Sequence, residues 1–312
     1  MPPTVGWIGC GVMGRSMVRN LLDGGFSVAV HTRTRSTAEA LTEAGARWAS
    51  SPAELAQQND IVISMVGYPT DVEAVYFGEA GVFSIPQHDS KCRLSIDMTT
   101  STPLLAKKIA DVATEREALS LDAPVSGGDV GARDGTLSIM VGGDAVAFEQ
   151  ARPIFDVLGK QAILHGTAGA GQHTKMVNQI IIASTMIGMC EGLVYAKRAG
   201  LDTSKVLESV SGGAAGSWSL SNLAPRILDG DLQPGFFVEH FVKDIGIAIS
   251  ECDRMGIELA GLKLARGLYD EVVRGGGGRL GTQALHGAIE KLAAEGCSDS
   301  REENSGVSDG DV

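Results

Sequence analysis

The chain lacks a C-x-x-C pair, although it has five cysteines, Cys10, Cys92, Cys190, Cys252 and Cys297. An odd number cannot all pair within one chain, so free thiols in a reducing cytoplasm are expected. None of the six histidines forms an H-x-x-x-H pair or stands near two cysteines, and no metal site is expected. Positive charge is also in deficit: the formal net charge is −12, which argues against nucleic acid as a partner. Part of that excess is local, because Asp299, Glu302, Glu303, Asp309 and Asp311 face only Arg301 in the last stretch. No apolar run is long enough to span a bilayer; the longest, Ile180 to Cys190, includes Ser184 and Thr185 and reads as a buried helix. The first strand-like run begins within a few residues of Met1, leaving no room for a signal or transit peptide, and a cytoplasmic protein without a membrane partner is expected. Internal repeats are absent.

What is present is a chain of 312 residues, 44% hydrophobic and 21% charged, long enough for two ordinary domains. Up to about His165, short β-rich runs alternate with helical segments, as a doubly wound parallel sheet requires. The expected strands are Val5–Ile8, Ser27–Thr32, Asp60–Met65, Leu94–Asp97, Leu119–Asp122, Ser138–Val141 and Ala162–Leu164. Helices are expected at Ser16–Leu22, Thr37–Ala44, Asp71–Val75, Leu104–Glu115 and Ala145–Leu158. Beyond the glycine-rich link Gly166–Gly171, a candidate hinge, the pattern is helical throughout: Thr174–Ala199, Ser204–Val210, Leu220–Leu228, Val238–Met255, Glu258–Arg274 and Ala284–Ala294. The fold class is therefore α/β, a Rossmann-type doubly wound sheet over residues 1–166 followed by an all-helical domain over 167–295. Residues 296–312 read as a disordered acidic tail. Gly275–Gly278 reads as a flexible connector, the alternative being a phosphate cradle on which no helix clearly opens.

The opening run Val5-Gly6-Trp7-Ile8 turns directly into Gly9-Cys10-Gly11-Val12-Met13-Gly14, a G-x-G-x-x-G followed by a helical pattern. Gly9 suits a tight turn, Gly11 leaves room for a pyrophosphate against bare backbone, and Gly14 permits close packing of helix on sheet. A phosphate then sits at a helix N-terminus. An ordinary strand-to-helix turn is the alternative, and the position directly between strand and helix favours the nucleotide site. About 20 residues on, where an Asp or Glu would read the ribose of NAD(H), the chain has Thr32, Arg33, Thr34 and Arg35 instead. Arginine offers a fork for phosphate oxygens, so NADP(H) is favoured over NAD(H). The plainer reading of Arg33 and Arg35 is that of solvated charges.

Two segments extend the reading beyond nucleotide binding. Asp122-Ala123-Pro124-Val125-Ser126-Gly127-Gly128 follows a strand end and exposes a hydroxyl and backbone N–H groups suited to a carboxylate. Pro124 rules out a G-x-S-x-G nucleophile elbow at Ser126. In Gly169-Ala170-Gly171-Gln172-His173-Thr174-Lys175-Met176-Val177-Asn178-Gln179, helical spacing puts Lys175, Asn178 and Gln179 on one face. A single helical lysine is ordinarily solvated, so the case for Lys175 rests on the combination. Lys243 and Asp244 stand together in a later, otherwise apolar helical stretch.

These motifs together resemble the β-hydroxyacid dehydrogenase family, whose members include 3-hydroxyisobutyrate dehydrogenase and tartronate semialdehyde reductase and which has a 6-phosphogluconate dehydrogenase-like C-terminal domain. The resemblance runs from Val5 to about Leu292. It implies Lys175 and Asn178 as catalytic residues, and a small carboxylate substrate held by Ser126, Gly127, Gly128 and Lys243. It implies cofactor contacts from Gly9, Gly11, Val12, Met13, Gly14, Thr32, Arg33, Thr34, Met65, Val66, Thr99, Thr100, Lys243 and Asp244. Family members often carry Leu-Pro after the fourth strand, where this chain has Val66-Gly67-Tyr68-Pro69. Trp218 reaches the substrate or packs its helix. A homodimer or homotetramer is also implied. The expected activity is hydride transfer between NADP(H) and a small hydroxy acid or its semialdehyde, with Lys175 as general acid and base; the amine then needs to titrate below its usual ~10.4. The alternatives are an imine reductase, whose members typically replace that lysine, and a non-catalytic NADPH-binding protein.

Overall fold

The computed structural model describes residues 2–304, with side chains through Glu295. It divides into two compact units at Asn178/Gln179. In the first unit β1 (Val5–Ile8), β4 (Ile61–Ser64) and β5 (Leu94–Asp97) are buried along their whole length, which explains the apolar runs of β1 and β4 without alternation. With β2 (Val28–His31), β3 (Arg47–Trp48) and β6 (Leu119–Asp122) they form a parallel sheet in the order β3-β2-β1-β4-β5-β6. Alternate residues feed two cores. Trp7, Ile63 and Ile96 pack with Met17 and Leu21 of α1 (Val12–Asp23) and Ile154 and Phe155 of α7 (Ala145–Leu158). Ile8 and Val62 pack on the opposite face with Leu55 of α3 (Pro52–Gln58), Val72 and Tyr76 of α4 (Pro69–Phe77) and Ile109 of α5 (Pro103–Glu115).

The sheet departs from the expected parallel pattern at its far side. After β6 the chain continues through Ala123-Pro124 into β7 (Val125–Ser126), and β8 (Leu137–Gly143) returns antiparallel to both; β9 (Gly159–Gly166) then runs parallel to β8. The return is possible because only the short helix α6 (Gly128–Asp134) and a left-handed Gly135 intervene, whereas a parallel return needs a crossover of a dozen or more residues. Short elements without a full period, namely β3, α3, α6 and β7, escaped the sequence reading. The expected helix Thr37–Ala44 is a 3₁₀ turn, Arg35–Ala38, leading into α2 (Glu39–Glu43).

The long helix α8 (Ala170–Arg198) begins in the first unit. Among the described helices it alone has the length and apolar character to cross a membrane. Its buried residues, from Gln172, Lys175 and Met176 through Ala183, Met186, Cys190 and Leu193, are those of a core helix. The glycine-rich link before it is tied down, Gly169 N–H donating to Asp122 at 2.7 Å, and the division between units falls within α8 itself.

In the second unit α9 (Thr203–Ser211), α10 (Trp218–Asn222), α11 (Ala224–Leu228), α12 (Val238–Met255), α13 (Ala260–Arg274) and α14 (Leu285–Asn304) follow, and no strand appears among the described residues. The single helix expected at Leu220–Leu228 is two, broken at Leu223 just before Pro225, which cannot supply a backbone donor. Gly275–Gly278 is not a flexible connector: Gly275 and Gly276 cap α13 through Glu271 and Val273 carbonyls, and Gly277 is buried. Helix α14 carries its backbone past Glu295 to Asn304, since extending a formed helix is far easier than nucleating one. The rest of the expected tail, 305–312, lies outside the described residues. The four described cysteines are buried and free.

Candidate active site

The glycine turn has the geometry its spacing predicts. Gly9 has φ +102°, and a Cβ there would fall 2.2 Å from the Met65 carbonyl oxygen; at Gly14 it would fall 2.1 Å from the Gly9 oxygen. Both positions are closed to any side chain. Gly11 is different, because a Cβ there meets nothing within 4 Å. It is the N-cap of α1, contributes no capping side chain, and no acidic residue occupies the first turn. The helix therefore presents backbone N–H groups to open space over bare backbone, which fits a pyrophosphate. Val12 is exposed and Met13 half-buried at the same helix start.

At the end of β2, Thr32 is half-buried while Arg33, Thr34 and Arg35 are exposed, with no acid among them. Arg33 Nη1 lies 3.2 Å from Asp71 Oδ1, and the other Asp71 oxygen accepts from the Tyr68 backbone at the start of α4. Arg35 sits over the Trp48 ring at 5.6 Å. Thr32, Arg33 and Thr34 thus place two hydroxyls and a guanidinium after β2, the guanidinium engaged by Asp71.

The next two strand ends are joined by side chains. Met65 and Val66 follow β4, and Val66 N–H donates to Thr99 Oγ1 at 3.0 Å. Thr99 follows β5, is buried, and its own N–H donates to Asp97 Oδ1 at 3.1 Å. Ser64 Oγ donates to the same Asp97 oxygen at 2.8 Å and stands 3.2 Å from the Tyr76 hydroxyl. Burial pushes the Asp97 carboxyl up to about 6, although the Ser64 and Thr99 hydrogen bonds pull the other way. Thr100 is half-buried beside it.

Beyond β6, Gly127 and Gly128 take positive φ, +134° and +64°, turning the chain from β7 into α6. Ser126, Gly127 and Gly128 are half-buried. Lys175 is not a solvated lysine: it is 7% exposed, and its Nζ donates to the Val125 carbonyl at 2.7 Å. The amine is thereby fixed against the backbone immediately before Ser126. Asn178 lies one turn further along α8 and is half-buried. The start of α8 is clamped by Asp122, whose Oδ1 accepts from Gly169 N–H and Oδ2 from Gln172 N–H at 2.8 Å. Burial raises the Asp122 carboxyl above its ordinary range, against those same hydrogen bonds. The Gln172 side chain closes the arrangement, its Oε1 accepting from Ser101 N–H at 2.9 Å and its Nε2 donating to the Thr99 carbonyl at 2.8 Å. Asp97 and Gln172 lie inside segments that the sequence singled out, yet nothing local marked them as buried and bonded.

In the helical unit, taken by itself, Lys243 Nζ stands 2.9 Å from Asp244 Oδ1, and Gln179 Nε2 donates to Asp244 Oδ2 at 2.6 Å. All three are largely buried. Trp218 is 60% exposed at the start of α10, so it does not serve to pack that helix. Among the described residues no group of three His, Cys, Asp or Glu side chains is placed to hold a metal.

Residues 4–168 match the NAD binding domain of 6-phosphogluconate dehydrogenase, and residues 169–289 match the NAD-binding domain of NADP-dependent 3-hydroxyisobutyrate dehydrogenase. The chain is 50% identical over 289 residues to a probable 3-hydroxyisobutyrate dehydrogenase-like protein of Arabidopsis thaliana, covering 92% of this chain and 85% of that protein. It is 35% identical over 289 residues to the 2-hydroxy-3-oxopropionate reductase of Escherichia coli, covering 93% and 98%. A 3-hydroxyisobutyrate dehydrogenase of Mycobacterium tuberculosis, solved with L-serine, superposes with a TM-score of 0.82 at 26% identity over 93% of this chain and 99% of that one. An imine reductase of Myxococcus stipitatus is more distant, with a TM-score of 0.58 at 20% identity over 93% and 100%, and shares the fold alone. With a nucleotide turn at one end of the sheet edge, a buried lysine at the other and relatives along nine-tenths of its length, the chain belongs to the β-hydroxyacid dehydrogenase family of NAD(P)-dependent oxidoreductases.

Proposed function

We propose that this enzyme transfers hydride between NADP(H) and a small hydroxy acid or its semialdehyde, of the 3-hydroxyisobutyrate, tartronate semialdehyde or succinic semialdehyde class, with Lys175 as general acid and base. The observation that carries the reading is the buried Lys175 amine, 2.7 Å from the Val125 oxygen and next in the chain to Ser126-Gly127-Gly128. When bound, the nicotinamide supplies or accepts the hydride at the substrate carbon. As a carbonyl is reduced, negative charge grows on its oxygen; the Lys175 ammonium stabilises that charge and delivers the proton that completes the hydroxyl. In the oxidising direction the neutral amine takes the hydroxyl proton back. Ser126 and the N–H groups of Gly127 and Gly128 hold the substrate carboxylate, and Asn178 orients the reacting oxygen. Arg33, with Thr32 and Thr34, favours the 2′-phosphate, so NADP(H) is the preferred cofactor. Within the helical unit, exposed Ile181, Tyr195 and Leu264 support a homo-oligomer, dimer or tetramer, whose size sedimentation measures.

Lys175→Ala is expected to lower kcat by roughly 10²–10⁴-fold while NADPH still quenches protein fluorescence with unchanged affinity. The substrate is read by following NADPH and NADH oxidation with glyoxylate, succinic semialdehyde, tartronate semialdehyde and methylmalonate semialdehyde. Turnover that survives in Lys175→Ala rejects the assignment. Binding without turnover on any carbonyl of the panel points to the non-catalytic alternative. The retained lysine speaks against an imine reductase.

A further inference from the structure

Gln172 is fully buried and uses both ends of its amide. Its backbone N–H is held by Asp122 on β6, and its side chain reaches the loop after β5, accepting from Ser101 and donating to Thr99. That loop in turn receives Val66 N–H through Thr99 Oγ1. Lys175 lies three residues along the same helix, on the same face as Gln172. One amide thus ties the loop assigned to the cofactor groove to the helical turn that carries the general acid. An apolar residue of similar size would fill the volume but leave the buried Ser101 N–H and Thr99 carbonyl without this partner, so the amide both satisfies the loop and fixes its geometry against the helix.

We propose that Gln172 is a positioning residue that fixes the Lys175 amine relative to the cofactor-lining loop Thr99–Ser101, so that proton and hydride are delivered in register to one carbonyl. The proposal rests on the functional reading given above for Lys175 and Thr99. It predicts that loss of the amide lowers the chemical step more than cofactor binding. In Gln172→Met the loop and the helix turn are no longer coupled. A displacement of about 1 Å at the reacting atoms is enough for a roughly 10²-fold fall in kcat, while the KM for NADPH changes by less than about threefold.

Gln172→Glu supplies a readout that general destabilisation does not move. When ionised, the introduced carboxylate accepts from Ser101 N–H but cannot donate to the Thr99 carbonyl. When protonated, it restores both bonds. The titratable groups around this position are Asp122 on β6, Asp97 on β5, Lys107 on α5 near Gly169, and His173 and Lys175 on α8. They are common to wild type and variant, so the ratio of the two kcat values follows the protonation of residue 172 together with any shift its charge imposes on these neighbours, a shift that the uncharged Gln172→Met does not share. That ratio, variant over wild type, is expected to rise at least about tenfold as pH falls through the titration of the introduced carboxyl.

The experiment measures kcat, KM for NADPH and the effect of 4-deuterated NADPH for wild type, Gln172→Met, Gln172→Glu and Lys175→Ala, with NADPH-binding stoichiometry as the count of folded sites. A kcat loss per folded site in Gln172→Met, with a larger deuterium effect and a pH-restored Gln172→Glu, supports the proposal. Wild-type kcat per site in Gln172→Met, or a pH-independent ratio for Gln172→Glu, overturns it. An active Lys175→Ala instead removes the functional reading beneath it, a distinct result.

Discussion

Two stretches of the same sheet edge are built in opposite ways. At the β1–α1 turn the structure depends on side chains that are missing, with Gly9 and Gly14 pressed against carbonyl oxygens and Gly11 facing open space. Along β5, β6 and the start of α8 it depends on side chains that are present, buried and hydrogen-bonded: Asp97, Thr99, Asp122 and Gln172. The first stretch leaves the backbone donors of the α1 start without a side-chain cap and open. The second spends nearly all its polar groups internally and so serves to hold Lys175 and the adjoining loops still. On the proposed function, binding and chemistry then rest on different kinds of backbone support.

The comparison predicts that one added methyl group does most damage in the first stretch. Gly9→Ala puts a Cβ 2.2 Å from the Met65 oxygen at φ +102°. Overpacking and left-handed strain together cost about 4 kcal/mol. The urea midpoint of the unliganded protein should fall steeply, and an unchanged midpoint would remove the steric account of the turn.

In the second stretch the corresponding sensitivity is to protons. Asp97 titrates at about 6 rather than 3.8, so between those values the native protein keeps a proton that the unfolded chain has released. Stability contributed by this group therefore falls as pH rises from about 4 to 6, by about 3 kcal/mol in all, and is level above that. The amide introduced by Asp97→Asn can still accept from Ser64 and Thr99 through its oxygen, and it does not ionise. The variant should accordingly gain stability relative to wild type on going from pH 4 to pH 7 in urea titrations. A wild-type-minus-variant difference that does not vary with pH would mean that the carboxyl is not held as the geometry implies.

The same contrast explains what could be read from the sequence. The glycine turn, five of the six parallel strands and helix α12, whose limits Val238–Met255 match the expected ones, are patterns local to a few turns of chain. Helix α3 also carries a local signal, Ser51 accepting from Glu54 N–H with Pro52 at the first helical position, but seven residues are too few to show a helical period. The antiparallel return of β8 depends on pairing Leu121 with Gly143, and no nearby residue announces it. The clamp is less visible still, because Gln172 meets partners 50 to 73 residues away. Its residue types were in plain view, while their burial was a property of the assembled sheet. Lys175 illustrates the intermediate case: the motif named it, and only the fold removes it from solvent.

Gly11→Ala sharpens the comparison within the turn itself. With φ −70° and nothing within 4 Å of the new Cβ, the gain from a less flexible unfolded chain is offset by the poorer N-cap that Ala makes, and the variant should stay within about 0.5 kcal/mol of wild type. The methyl group nevertheless occupies the space assigned to the pyrophosphate, so NADPH affinity should fall roughly tenfold, about 1.4 kcal/mol. Calorimetric titration with NADPH reads this directly. Undiminished affinity would place the phosphates elsewhere.

The smallest expected effect belongs to Arg33, where the edge meets solvent. Its side chain is 88% exposed and engaged with Asp71 at 3.2 Å, so any gain from a 2′-phosphate is offset by the loss of that pair, itself worth less than about 1 kcal/mol at such exposure. Arg33→Ala should weaken NADPH binding by about fivefold, roughly 1 kcal/mol, and leave NADH nearly unchanged. Asp71→Asn should shift the ratio in the opposite direction by about two- to threefold, because the guanidinium is released while the cap on the Tyr68 N–H survives through the amide oxygen. Opposite signs for the two variants identify Asp71 as the brake on phosphate preference. Equal weakening of both cofactors in Arg33→Ala would show instead that the arginine supports the loop after β2 and does not read the phosphate.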